Sequence, residues 1–240
     1  MKRFPEKLQS KLQNRQAESS LRQLGNTSAA VDFASNDYLG FSKSEFIFEQ
    51  THQLLSDKNL KINGATGSRL LSGNHVLYAE TEMFLTNFHN SESALIFNSG
   101  YDANVGFFSC VPQKGDFILY DELCHASIRD GIRLSQAKSY KFSHNDYENL
   151  EVLINRFQSE NGEIYVVTES VFSMDGDCPN VEELVRITQK FNCLLVIDEA
   201  HALGVFGDSG EGLMQQMTLQ DHTFARIMTF GKGLGCHGAV

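Results

Sequence analysis

A lysine framed by glycines, Lys232 in Thr229-Phe230-Gly231-Lys232-Gly233-Leu234-Gly235, follows the apolar stretch Arg226-Ile227-Met228. Upstream, Leu194-Leu195-Val196-Ile197-Asp198-Glu199-Ala200-His201 delivers an acid and, three residues later, an imidazole. An amine, a buried acid and an imidazole are the set that pyridoxal 5'-phosphate (PLP) requires. The amine forms a Schiff base, the acid faces the pyridinium nitrogen, and the imidazole donates to the phenolic ring oxygen. A carboxylate behind four apolar residues is costly to bury without a partner, and a protonated ring nitrogen is such a partner. Thr229 offers a hydroxyl to a phosphate from three residues before the lysine.

Other chemistry-bearing residues also fall at the ends of apolar runs. Asn98-Ser99-Gly100-Tyr101-Asp102 follows Ala94–Phe97 and opens a helix, so its free N–H groups can cradle a phosphate; a plain strand-to-helix turn is the competing reading. His125, just past Phe117–Tyr120, can stack on a flat heteroaromatic ring or cap the next helix. Glu169 and Ser173 follow the run Ile164–Thr168, whereas Asp175-Gly176-Asp177 reads as a structural turn.

Three short matches carry no function. Asp198-Glu199-Ala200-His201 spells the acidic box of a DEAH-type ATPase, but a phosphate loop G-x-x-x-x-G-K-[ST] should precede it, and the Gly231-Lys232 pair lies downstream. Gly233-Leu234-Gly235-Cys236-His237-Gly238 fits G-x-G-x-x-G without the helix and acidic residue of a dinucleotide site. Gly207-Asp208-Ser209-Gly210 echoes a serine-protease loop in the wrong fold class and reads as a turn.

The elements that must position these groups alternate. Strands are expected at 94–97, 117–120, 139–142, 164–168, 193–197 and 225–229, with helices near 75–89, 102–110, 125–137, 146–158 and 181–191. Short, continuously apolar strands between helices predict an α/β fold: a mainly parallel sheet with helices on both faces and ligands at the carboxyl ends of its strands. Residues 4–24 predict an amphipathic helix. A polar break, Gly25-Asn26-Thr27-Ser28 (containing a chance glycosylation sequon), leads to an extended segment near Val31-Asp32-Phe33. The expected organisation is an N-terminal helix and arm over 1–40 and a PLP-binding large domain over 41–240.

Bulk properties narrow the class. The 240 residues are 41% hydrophobic and 21% charged, as in a globular protein. A net charge of −10 argues against a nucleic-acid surface. No run reaches the roughly 20 apolar residues of a membrane helix. Five scattered cysteines without a CxxC pair predict neither a metal site nor disulfides, so a soluble, cytoplasmic protein is expected.

Together, Ser35-Asn36-Asp37-Tyr38-Leu39-Gly40, Gly67–His75, Glu169–Asp177, Asp198–His201 and Thr229–Lys232 resemble the α-oxoamine synthases, PLP enzymes of fold type I with an aspartate-aminotransferase-like large domain. The resemblance runs from about Glu6 to Val240 and is strongest to the branch that forms 8-amino-7-oxononanoate in biotin biosynthesis. It implies that Lys232 forms the Schiff base and moves protons at the substrate Cα. It places Asp198 on the pyridinium nitrogen, His201 on the phenolic oxygen and His125 stacked on the ring. Gly100, Tyr101 and Thr229 fall on the phosphate side, with Glu169 and Ser173 as further cofactor contacts, and Arg22, Asn36 and His125 facing substrate. The implied reaction is condensation of L-alanine with pimeloyl-CoA or a pimeloyl carrier-protein thioester, releasing CoA and CO2, in a homodimer of the full-length protein. A glycine- or serine-using relative, of the 2-amino-3-ketobutyrate ligase or serine palmitoyltransferase type, is the alternative acyltransferase. A nucleotide-binding module and an inactive fragment are the alternatives outside that class. Family members continue well past the lysine into a C-terminal domain, so the chain resembles the N-terminal part of such an enzyme, with that domain missing, and little turnover is expected from it alone.

Overall fold

The computed structural model describes residues 4–24 and 31–240. Contacts divide the chain into two units, residues 1–34 and 35–240. In the first, α1 (Glu6–Ala17) is shorter than the 4–24 helix expected and buries none of its residues. The polar break at 25–28 lies outside the described residues.

The second unit is a five-stranded, wholly parallel sheet in the order β2-β1-β3-β4-β5. Its strands are β1 (Phe117–Asp121), β2 (Lys138–Phe142), β3 (Ile164–Glu169), β4 (Leu194–Asp198) and β5 (Ala225–Ile227). Alternate residues of each strand feed opposite faces, as the pleat requires. On one face Phe117, Leu119, Val166, Leu195 and Ile197 pack with α6 (Tyr147–Phe157) and α7 (Val181–Phe191). On the other, Ile118, Val167, Val196 and Ile227 pack with α4 (Gly100–Cys110) and α5 (Ala126–Leu134). β3 is buried throughout, which is why it opens on the apolar run Ile164–Val167, while edge strand β2 alternates in sequence and burial.

Each helix flanking the sheet starts on a side-chain cap that accepts a first-turn N–H: Ser99 for α4, His125 for α5, Asp146 for α6 and Asn180 for α7. α2 (Glu45–Asp57) and a π-turn at Arg69–Gly73 were not foreseen; α3 (Val76–Phe88) was.

One expected strand did not form. Of residues 94–97, Phe97 alone pairs, in an antiparallel bridge to Ala239. The Ile96 N–H is taken by Glu82 Oε1, itself clamped by Arg69, so a side chain replaces the ladder partner there. The 225–229 strand stops at Ile227, and Thr229 makes a separate bridge to Ala239. No helix among the described residues is long and apolar enough to cross a membrane, and no His, Cys, Asp or Glu cluster there could hold a metal.

Candidate active site

Parallel register brings the strand ends level. Glu169 of β3 pairs with Asp198 of β4, and Asp198 with Ile227 of β5. Beyond these ends lies a cavity of about 130 Å³ lined by Gly100, Tyr101, His125, Glu169, Asp198 and Thr229, with Lys232. Asn104, Ser127, Ala200 and Ile227 complete its wall.

Lys232 sits in the loop after β5, and its Nζ lies 2.7 Å from His201 Nε2. Burial holds its amine below the ordinary lysine pKa, against the opposing pull of Asp198 and Glu169. Burial, reinforced by the Lys232 cation, lowers His201 to about 4. His201 is therefore neutral at pH 7, and its single ring proton can sit on either nitrogen. Its Nδ1 is 2.7 Å from the hydroxyl of Tyr38, which also donates to Asn36 Oδ1 at 3.2 Å. The turn after β4 thus brings His201 toward Lys232.

His125 caps α5: its Nδ1 accepts from the Ser127 N–H at 3.2 Å and lies 2.7 Å from Ser127 Oγ. With Nδ1 occupied as an acceptor, the neutral ring carries its hydrogen on Nε2. Burial keeps His125 below the usual histidine range. The two readings its sequence left open are compatible, because the capping ring also lines the cavity.

Two carboxyl groups sit side by side in unlike surroundings. Asp198 accepts from Asn104 Nδ2 at 2.8 Å and from the Ala200 N–H at 2.9 Å. Glu169 accepts from the His125 N–H at 2.6 Å, and burial, with Asp198 beside it, pushes its pKa up to about 8. Burial thus favours the neutral form of Glu169 far more than in a solvated glutamate.

The first-turn N–H groups of Gly100 and Tyr101, also in the cavity wall, open α4, where no intrahelical acceptor exists. A Cβ on Gly100 would approach Thr229 Cβ to 3.1 Å, so glycine lets the helix start lie against Thr229. The Tyr101 hydroxyl donates to Asp130.

Three expected positions, besides His201, are not among the residues lining this cavity. Ser173 is exposed in the loop after β3 and does not line the cavity, because the chain turns away at Ser170 to pack Phe172. Arg22 belongs to the first unit, exposed beyond α1. Asn36 bonds Tyr38 without lining the cavity. Sequence reasoning missed Asn104, Ser127 and Tyr38. The first was legible in principle as an amide in the middle of a helix, where asparagine is a poor helix former.

The residues present fit PLP. An amine of lowered pKa, a hydrogen-bonded carboxylate, an imidazole and a helix N-terminus against a threonine line one small cavity, and a second imidazole, His201, contacts the amine. The buried Asn104 Oδ1 has no partner among the described residues, leaving an acceptor for a ligand.

Comparison with known proteins agrees with that geometry. The model of the family "Aminotransferase class I and II" matches residues 28–240. The 8-amino-7-oxononanoate synthase of Emericella nidulans is 43% identical over 226 residues, 89% of this chain and 55% of that protein. The serine palmitoyltransferase of Sphingomonas wittichii superposes with a TM-score of 0.79 at 32% identity, over 85% of this chain and 50% of that one. The 8-amino-7-oxononanoate synthase of Francisella tularensis superposes with a TM-score of 0.68 at 27% identity, over 87% of this chain and 57% of that one. The chain spans 52% to 62% of the length of the curated relatives it matches. With its parallel sheet, its strand-end lysine and a family match over most of its length, the chain belongs to the PLP-dependent aminotransferase class I and II family, on the side of the α-oxoamine synthases.

Proposed function

We propose that this chain carries the cofactor-binding part of an 8-amino-7-oxononanoate synthase, which condenses L-alanine with a pimeloyl thioester and releases CO2. The observation that carries the reading is the Lys232 amine held inside a cavity whose wall includes Asp198, within a chain similar along nearly all its length to such synthases. Bound PLP would supply an aldehyde for an amine and a ring that withdraws electrons from the substrate Cα.

The protein's own groups do the rest. Lys232, with a larger uncharged fraction than a solvated lysine, attacks as a nucleophile and later carries protons to and from the substrate Cα. Asp198 would keep a proton on the ring nitrogen of bound PLP, and His201 would donate to its phenolic oxygen. His125 would cover one ring face. Gly100, Tyr101 and Thr229 would hold the phosphate, with Glu169 as a further cofactor contact. Asn36 would orient the amino acid, and cavity walls would limit water around the reacting carbon.

Exposed apolar side chains such as Phe46, Leu70, Leu71 and Met83 supply surface for a homodimer of the full-length protein, which we place in the cytoplasm. The relatives' greater length supports a further expectation: residues 1–240 alone give little synthase turnover, and robust condensation by them refutes it.

Mixing the chain with PLP tests the cofactor role. An absorbance band at the edge of the visible should form, and borohydride should fix it on Lys232. Because burial lowers the lysine pKa, capture should speed up with pH and level off below pH 10.5, the ordinary lysine value. A rate still climbing through pH 10.5 contradicts a buried amine. Substrate identity is tested on the full-length protein with alanine, glycine and serine against thioesters of several lengths. A preference for glycine or serine overturns the oxononanoate assignment.

A further inference from the structure

Asn104 lies in the second turn of α4 and is 2% exposed. Its Nδ2 donates both hydrogens, one to Asp198 Oδ2 at 2.8 Å and one to Ser127 Oγ at 3.0 Å. Ser127 Oγ is then free to donate to His125 Nδ1, 2.7 Å away. The carboxylate accepts only, so the amide must present nitrogen to it, and Oδ1 is the atom left over. That oxygen is buried without a partner among the described residues, and the residue lines the cavity. An orphaned buried carbonyl oxygen is costly and rare unless something outside the chain satisfies it.

We propose that Asn104 is the positioning residue of this site: it fixes the direction of Asp198 and, with its spare amide oxygen, makes this wall accept a ligand that brings a ring N–H. One Asp198 oxygen is tied to Asn104 and the other to the Ala200 N–H, so the carboxylate cannot rotate and its remaining lone pairs keep one direction. The same amide, through Ser127, ties the His125 ring to Asp198, so acid and imidazole are set by one side chain. A neutral ring without an N–H would leave acceptors facing acceptors. The inference rests on the reading of the cavity as a PLP site.

The test uses the full chain and PLP labelled with 15N in its ring. In the parent protein the ring nitrogen should show the protonated shift at neutral pH and hold it to higher pH than free PLP. Asn104→Leu keeps the volume and removes the amide. It should weaken PLP binding roughly ten- to a hundredfold, the worth of one hydrogen bond to a charged group, and move the ring nitrogen toward its unprotonated shift. Asn104→Ala, which cannot clash, is the second variant should leucine fail to fold, as judged by far-UV circular dichroism. Folded variants that keep the parent's 15N shift overturn the inference even if affinity falls, since a purely structural role would leave the proton where it was. Failure of the parent to take up PLP overturns the cofactor reading and this inference together.

Discussion

Lys232→Ala is expected to lose the borohydride-fixed PLP label entirely, the largest single effect in this chain. Of the cavity-lining residues, Lys232 alone carries an amine, so no neighbour can form the imine in its place. The same variant should raise the titration point of His201. Burial is the main cause of its depression to about 4, and the Lys232 charge the next. Removing that charge should move the histidine upward while leaving it below 6.5, and proton NMR of the ring would follow it. A variant that still forms a reducible adduct at another lysine would sink the Lys232 assignment. An unmoved His201 would show that the 2.7 Å contact does not persist in solution.

Gly131→Val is expected to cost about 3 kcal/mol, the upper range for overpacking a tight core. Gly131 lies on α5 where it crosses α4, and a Cβ there would meet the Asn104 carbonyl oxygen at 2.8 Å and Phe108 Cβ at 3.0 Å. Backbone cannot swing aside as a lysine tip would, so the helices must separate. For a unit of this size Tm should fall by roughly 6–12 °C. Because the struck atom belongs to Asn104, PLP affinity should fall as well. Gly64→Ala is the contrast: its added Cβ meets nothing within 4 Å, so stability should stay within about 0.5 kcal/mol. Equal melting temperatures for the two variants would contradict the helix crossing.

Much of this fold was legible because buried parallel strands announce themselves. Residues 164–167 and 194–197 are apolar without interruption, and the strands they form end in acids, Glu169 and Asp198, so both strand and site could be marked. The misread run at 94–97 is equally apolar, but Glu82 and Arg69 take its hydrogen-bonding capacity from distant positions, which no local pattern reveals. Helix α2 was missed because Phe46, Ile47 and Phe48 stand consecutively and expose themselves, which blurs the helical period. Lys232 and Asp198 stood out by type and place. Tyr38 did not, since its partner His201 is 163 positions away, and a tyrosine in a turn carries no mark of such a contact.

The loop that carries Lys232 is stitched shut at its base. Met228 and Val240 exchange two backbone hydrogen bonds, Phe230 donates to Gly238, and Cys236 donates to Phe230. At Gly235, with φ +58°, the backbone passes so near Ser42 that a Cβ would sit 2.3 Å from its nitrogen. The lysine therefore hangs from a ring of fixed circumference, and the entropy of bringing its amine to the strand ends was surrendered when the chain folded. An incoming aldehyde consequently meets the amine at high effective molarity, as in a well-oriented intramolecular reaction. Lengthening the loop would dilute that local concentration without altering any residue that touches the ligand.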